Sequence, residues 1–379
     1  MAYRPVILGA SSEDTQYYKE LNRKYGSPLL VFNPSVLKKQ YYRLQKALPD
    51  VEIYYAIKAL PHLDVLKTLE KLGSGFDVAS SGELDFLSSL QVSGRRAIHT
   101  HPIKRDSDIR SALRFGATTF VIDNIDELKK LTSYRERIGI LLRVSFRSES
   151  AVVDLSKKFG CTESEVFEII SAAENEGLHI KGLSFHVGSQ CASPDKQVEA
   201  IESCCKLMTH INKTAKAPLA TLDIGGGFPS DYDLSTPDIN DFTAPIRRAL
   251  DKLPNDWHLI MEPGRFLVAP AVTSITTILG KSIRGGVPWY YLDDGVYGSF
   301  SGQIFDKMIY PLQVFKEGET KPSVLAGPTC DSIDIIAEGI ELPDLAIGDL
   351  VIGHRMGAYT AATCTRFNSL PDAKFVTLQ

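Results

Sequence analysis

The sequence predicts an α/β protein: a (β/α)8 barrel of the TIM type with a second, mostly β domain. Three observations predict it. Eight β-prone runs recur between residues 51 and 261, and each but the last is followed by an amphipathic stretch with helical spacing. No GxGxxG turn follows the first run, which counts against an open doubly wound sheet. After Pro263 the rhythm stops, and short β-rich runs between Gly, Pro and Asp turns take over. The expected division is a barrel over residues 30–265 and a sandwich-like or barrel-like β domain built from residues 266–379 together with residues 1–29.

Taken in order, residues 14–25 read as a helix that Gly26-Ser27-Pro28 breaks. Leu29–Phe32 reads as a short strand, and Asn33-Pro34-Ser35 starts a helix over Val36–Ala47. The eight strand candidates are Val51–Ala59, Gly75–Ser80, Ala97–His101, Thr118–Ile122, Ile138–Phe146, Ile180–Val187, Ala220–Ile224 and Trp257–Met261. Between them lie the helical segments Leu63–Leu72, Ser81–Leu90, Ser107–Phe115, Ile125–Leu131, Glu163–Glu176, Pro194–Thr214 and Ile239–Lys252. Beyond the barrel, Val272–Ile278, Trp289–Leu292, Ser323–Ala326 and Leu350–Ile352 are the β-rich runs.

Composition narrows the function. The 379 residues suffice for one large domain and a smaller one, and 44% apolar with 23% charged residues is ordinary for a globular protein. A net charge of −4 argues against a nucleic-acid or anionic-membrane partner. No apolar run approaches a membrane span, and the N-terminus lacks the sustained apolar core of a secretory signal. The six cysteines show no CxxC pairing, so they are expected to be free thiols in a reducing cytoplasm, and no ligand spacing points to a metal.

In such a barrel the reactive groups gather at the C-terminal ends of the strands. Polar residues do cluster there: Lys58, Asp77 and Ser80, His101, Arg143, His186 and Ser189, the triplet Gly225-Gly226-Gly227, then Glu262 and Arg265. Lys58 has no carboxylate beside it in sequence. In apolar surroundings its amine loses charge easily and can form a Schiff base with a carbonyl. Alone, it reads more simply as a strand-end lysine reaching solvent. Three glycines after the seventh strand let backbone N–H groups approach an anion, and Arg265 after the eighth adds charge where barrels bind phosphate; a lone GGG would be a tight turn. Glu262 is a general base, a metal ligand or a hydrogen-bond acceptor, and against a pyridine ring it keeps the ring nitrogen protonated. His186 is either a satisfied core histidine or an imidazole stacked on an aromatic cofactor. Together these residues converge on a phosphate, a ring nitrogen and a Schiff-base lysine, which are the features of pyridoxal 5'-phosphate.

The ordered segments YYAIKA (54–59), GFDVASSGEL (75–84), LSKKFG (155–160), SFHVGSQ (184–190), LDIGGGFP (222–229), EPGRF (262–266), DDGVYGSF (293–300), GPTCDSID (327–334) and MGAYT (356–360) carry a resemblance. The chain resembles the ornithine/diaminopimelate/arginine decarboxylase family of fold-type III pyridoxal-phosphate enzymes, with an alanine-racemase-like fold, and most closely its ornithine-specific members. The resemblance implies a head-to-tail homodimer with active sites shared across the interface. It implies that Lys58 is the Schiff-base lysine, that His186 stacks on the ring and that Glu262 pairs with the ring nitrogen. Ser189, Gly226, Gly227, Arg265 and Tyr359 would bind the phosphate, with Asp77 and Arg143 in support. Cys330 of a second copy would govern protonation of the carbanion. Asp306, with Asp331 of a second copy, would receive the distal amine of the substrate.

The implied reaction is decarboxylation of a basic L-amino acid, ornithine to putrescine, in polyamine biosynthesis. Lysine is one methylene longer, a difference worth about 1–3 kcal/mol, so dual use and a modified diamino acid stay open. A diaminopimelate enzyme would call for an arginine in its specificity loop and a CES sequence, where this chain has Cys330-Asp331-Ser332. A racemase would carry an arginine at the ring nitrogen instead of Glu262, and a non-catalytic homologue would have lost cofactor residues. Two departures stand out: Ala326 replaces an aromatic of the animal members, and the chain ends at Gln379 without the tail linked to regulated turnover, which suggests a bacterial-like or otherwise unregulated form.

Overall fold

The computed structural model describes residues 5–146, 151–153 and 157–379. The first four residues of the expected 1–29 segment, and Leu155 and Ser156 of LSKKFG, lie outside the described residues. The chain divides into two compact units. The barrel unit holds Lys38–Pro229 and Pro237–Gly264; the β unit holds the chain up to Leu37, Ser230–Thr236 and Arg265–Gln379.

The barrel unit is a closed ring of eight parallel strands. They are β1 (Val51–Ala56), β2 (Gly75–Val78), β3 (Ala97–His99), β4 (Thr119–Ile122), β5 (Gly139–Val144), β6 (Ile180–Phe185), β7 (Thr221–Asp223) and β8 (His258–Met261). Each pairs with the next, and β8 closes on β1 through Leu259 opposite Val51. The connecting helices are α1 (Leu63–Lys71), α2 (Ser81–Ser89), α3 (Asp106–Phe115), α4 (Ile125–Leu131), α5 (Glu163–Asn175), α6 (Asp195–Ile211) and α7 (Ile239–Leu250). All eight expected strands are present, each slightly shorter than its apolar run, because the last residues of several runs turn out of the ladder to form the rim.

Local chemistry explains these elements. β1 is buried at all but Glu52, which suits a sheet covered on both faces. Helix starts are capped by side chains that accept orphan N–H groups. Ser80 takes Glu83 N, Asn124 takes Glu127 N, and Thr162 forms a reciprocal box with Glu165. Gly182 on β6 is required by contact: a Cβ there would lie 1.8 Å from the Thr221 carbonyl oxygen on β7.

The β unit is a nine-stranded sheet. Its path runs through Ile7–Leu8, Leu312–Val314, Leu350–Gly353, Val272–Arg284, Val287–Leu292, Lys321–Ala326 and Ile335–Leu342. Leu29–Phe32 also pairs with Val272–Arg284, and Lys374–Thr377 pairs with Leu29–Phe32. Leu29, Val31, Ile275, Leu350 and Ile352 make its core, and Tyr18, Leu21 and Tyr25 of the helix Ser12–Tyr25 pack on them. The division expected at residue 30 therefore falls after Leu37, because Leu29–Phe32 finds its partners in this sheet. The strand expected to end at Ile278 runs on to Arg284 across a bulge between Ile278 and Gly280, which the glycine had disguised as a stop.

Candidate active site

The end of β1 is tied to the far end of the barrel sequence: Ala56 N donates to the Pro263 carbonyl at 3.2 Å. One turn of 3-10 helix, Ile57–Ala59, then lifts Lys58 onto the rim. Its amine is not in apolar surroundings, as the sequence led one to expect. Lys58 Nζ lies 2.5 Å from Asp77 Oδ2, and the Asp77 side chain is fully buried at the end of β2. The partner was hidden because it comes from the neighbouring strand. Asp77 Oδ1 takes the hydroxyl of Thr100, just past β3.

Two further carboxylates lie deep at the same rim. Burial pushes the Glu262 carboxyl well above its ordinary range, and the charges of Asp223 and Asp77 push it further. Burial likewise raises Asp223 to about 6, although its Oδ1 accepts Gly225 N at 2.9 Å. Asp223 Oδ2 is buried, and the Asp223 and Glu262 side chains lie within hydrogen-bonding reach of each other, a contact that holds only while one of the two carboxyls keeps its proton. Lys58 offsets Glu262, and Arg143 on β5 adds positive charge: burial lowers its guanidinium, while Glu262, Asp123, Asp77 and Asp223 attract it.

His186 follows β6 and is partly open at the rim, yet it is surrounded closely enough that desolvation, then the charges of Arg143 and Lys58, hold its ring well below the usual histidine range. It is therefore a neutral imidazole, and Nδ1 accepts Gly188 N at 3.1 Å. The glycine loop follows β7. Gly225 and Gly227 have φ of +65° and +97°, in the left-handed region that glycine tolerates. A Cβ on Gly226 would lie 2.7 Å from the Glu262 carbonyl oxygen and 3.1 Å from His186 Nε2. The loop is held from behind by Gln197, whose buried amide donates to the Gly226 carbonyl at 2.9 Å, and by Cys191 N to the Gly227 carbonyl at 3.1 Å. Ser189 lies in a two-stranded ribbon, opposite Val153. His101 stands aside, edge-on to Phe159.

The remaining candidates belong to the β unit and form two groups. Arg265 is buried, with Nη2 2.6 Å from Asp306 Oδ2, Nη1 3.2 Å from the Tyr232 hydroxyl, and its guanidinium over the Tyr359 ring. Tyr359 has a φ of +54°, an unusual conformation for a tyrosine. Cys330 is exposed and its N–H donates to Asn368 Oδ1 at 2.9 Å. Asp331 takes the Tyr297 hydroxyl at 2.5 Å, which holds its carboxyl below the usual range, and Tyr297 stacks on Phe367. Thr100, Asp223, Gln197 and Tyr232 escaped the sequence reading. Asp223 alone left a trace there, as the carboxylate just ahead of the glycine triplet.

Comparison with known proteins matches this arrangement to one family. The model of the family described as "Pyridoxal-dependent decarboxylase, pyridoxal binding domain" matches residues 35–269. The chain belongs to this family of pyridoxal-dependent decarboxylases. It is 37% identical to the lysine/ornithine decarboxylase of Selenomonas ruminantium over 92% of this chain and 89% of that one. The crystal structure of the Vibrio vulnificus lysine/ornithine decarboxylase complexed with cadaverine is 48% identical, with a TM-score of 0.94 over 98% of this chain and all of that one. The same Vibrio vulnificus enzyme complexed with putrescine gives a TM-score of 0.93 over 98% and 99%.

The decarboxylase is thus a pyridoxal-phosphate carboxy-lyase, and its barrel rim fits that cofactor. Glu262 is a buried carboxyl crowded by two others, so a protonated ring nitrogen relieves it. The glycine loop leaves backbone where a side chain would intrude. Lys58 offers the primary amine. Among the described residues no cluster of His, Cys, Asp and Glu could hold a metal ion, and no helix is long and apolar enough to cross a membrane.

Proposed function

We propose that the decarboxylase acts on L-ornithine and also accepts L-lysine, giving putrescine or cadaverine and CO2. The observation that carries the reading is the rim itself, where an amine paired with a buried carboxylate stands with a carboxyl that burial drives far up. The similar enzyme of Vibrio vulnificus, solved with either diamine, supports the choice of substrates. One methylene separates the two substrates, worth about 1–3 kcal/mol in discrimination, so a single acidic subsite serves both.

In this reading the cofactor, when bound, supplies the electron sink for the pair that departing CO2 leaves at Cα. Lys58 would hold the cofactor through its primary amine, and Asp77 keeps that amine aimed. Glu262 would accept the ring N–H, and neutral His186 would stand against the ring without adding charge. Ser189, Gly226, Gly227, Arg265 and Tyr359 would bind the phosphate, with Arg143 balancing the buried carboxylates. Asp306, which pairs with Arg265 in this structure, would have to share or leave that pair to take the distal ammonium together with Asp331 of a second copy. Cys330 of that second copy delivers the proton that replaces the carboxylate on Cα. The protein therefore works as a homodimer, and free thiols at all six cysteines suit the cytoplasm.

A panel assay of CO2 release with ornithine, lysine, arginine and diaminopimelate tests the reading. Ornithine and lysine should turn over; diaminopimelate as the best substrate would overturn the role given to Asp306 and Asp331. Lys58→Ala should lose visible cofactor absorbance and turnover together.

A further inference from the structure

We propose that Thr100 is a positioning residue for the cofactor lysine, acting through Asp77: its hydroxyl fixes the carboxylate that aims the Lys58 amine. The proposal rests on the reading of Lys58 given above.

Thr100 lies one residue beyond β3, and its N–H donates to the Val78 carbonyl at 3.0 Å. That bond anchors it beside the end of β2, the strand that carries Asp77. Its hydroxyl donates to Asp77 Oδ1, while Lys58 occupies Asp77 Oδ2. The Asp77 side chain is fully buried and Thr100 nearly so, so water is a poor substitute for either partner. A dry carboxylate with a donor on each oxygen has one orientation. Remove the hydroxyl and Oδ1 becomes a buried charged acceptor without a donor. The carboxylate then turns to recover one, and the amine bonded to its other oxygen moves with it.

Neighbouring groups do not do this job. His99, one residue earlier, has both ring nitrogens buried without a partner among the described residues and stacks on Phe120. Glu83, Arg143, Asp223 and Glu262 sense the Asp77 charge, but Glu83 spends its carboxylate on Ala79 N. Thr100 is thus the hydroxyl that holds the second oxygen, contributed by a strand end that no cofactor motif includes.

The test uses the holoenzyme. Borohydride reduction followed by peptide mapping locates the pyridoxyl label. Apo protein of the wild type, T100V and T100S is then titrated with pyridoxal 5'-phosphate, and visible absorbance is followed against pH. T100V keeps the shape of threonine and loses the donor, so it should bind the cofactor about tenfold more weakly and shift the absorbance midpoint by roughly half a pH unit. T100S keeps the donor and should match the wild type. If T100V does not fold, T100A removes the same hydroxyl and carries the same expectation. A labelled Lys58 together with unchanged affinity and midpoint in T100V overturns the proposal alone, as does a T100S as impaired as T100V. A label on another lysine overturns the reading of Lys58 and this proposal with it.

Discussion

Glu83 has two tasks at the start of α2. Its carboxylate accepts Ala79 N at 2.5 Å while Ser80 caps the Glu83 N–H. Burial, with the nearby charge of Asp77, raises its carboxyl from 4.5 to about 7. A carboxyl raised on folding binds more protons folded than unfolded between those values. Its contribution is therefore fully present below pH 4.5 and is lost as pH rises through about 7. Gln keeps an acceptor for Ala79 N and carries no charge. Glu83→Gln should match the wild type in denaturant near pH 4 and be more stable, by roughly 1–3 kcal/mol, near pH 8. Equal stability at both pH values would show that Glu83 does not carry this burden. His186 works in the opposite sense: already neutral well above its depressed value, it adds no titration to turnover near neutrality.

Among the elements, the glycine loop after β7 is the most constrained. Gly226 is not in the left-handed region, so its requirement is one of space. The nearest obstacle is the Glu262 backbone carbonyl, which cannot swing aside as a flexible side chain would. Gly226→Ala should displace the loop, weaken cofactor binding at least about tenfold in an absorbance titration, and lower stability by about 1–3 kcal/mol, while circular dichroism stays unchanged. The barrel strands were legible because each is an apolar run of the length a strand buried on both faces requires. The strands of the β unit were legible only in part. Leu312–Val314 is too short to show a period, Ile335–Leu342 is interrupted by Glu338 and Gly339, and Val272–Arg284 passes a bulge at its glycine. At the site, Lys58, Glu262 and the glycines announced themselves by residue type. Asp77 as the lysine's partner, and Thr100 as the partner of Asp77, could not be read, because strand-to-strand register decides them.

For the molecule as a whole, the β unit depends on chain segments far apart in sequence. Lys374–Thr377 lies parallel to Leu29–Phe32, and Lys374 N and Leu378 N extend the ladder to the Pro28 and Phe32 carbonyls at 3.0 and 2.9 Å. Val376 and Leu378 pack on the core of that sheet. Deleting residues 373–379 should therefore destabilise the protein by roughly 2–4 kcal/mol, the burial of two aliphatic side chains, and lower its thermal midpoint by calorimetry. An unchanged midpoint would mean the strand is ornamental to the sheet.

The placement of Leu29–Phe32 also has a consequence for biosynthesis. The antiparallel partner of this buried apolar strand, Val272–Ile275, is translated roughly 240 residues after it. At about 5–20 residues per second, that is an interval of some 12–50 s during which LLVF has no edge to join. The barrel meanwhile closes only when Leu259 reaches Val51. Throughout that interval the nascent chain thus carries an apolar strand whose sheet partners are still missing, the kind of segment that invites non-native edge pairing.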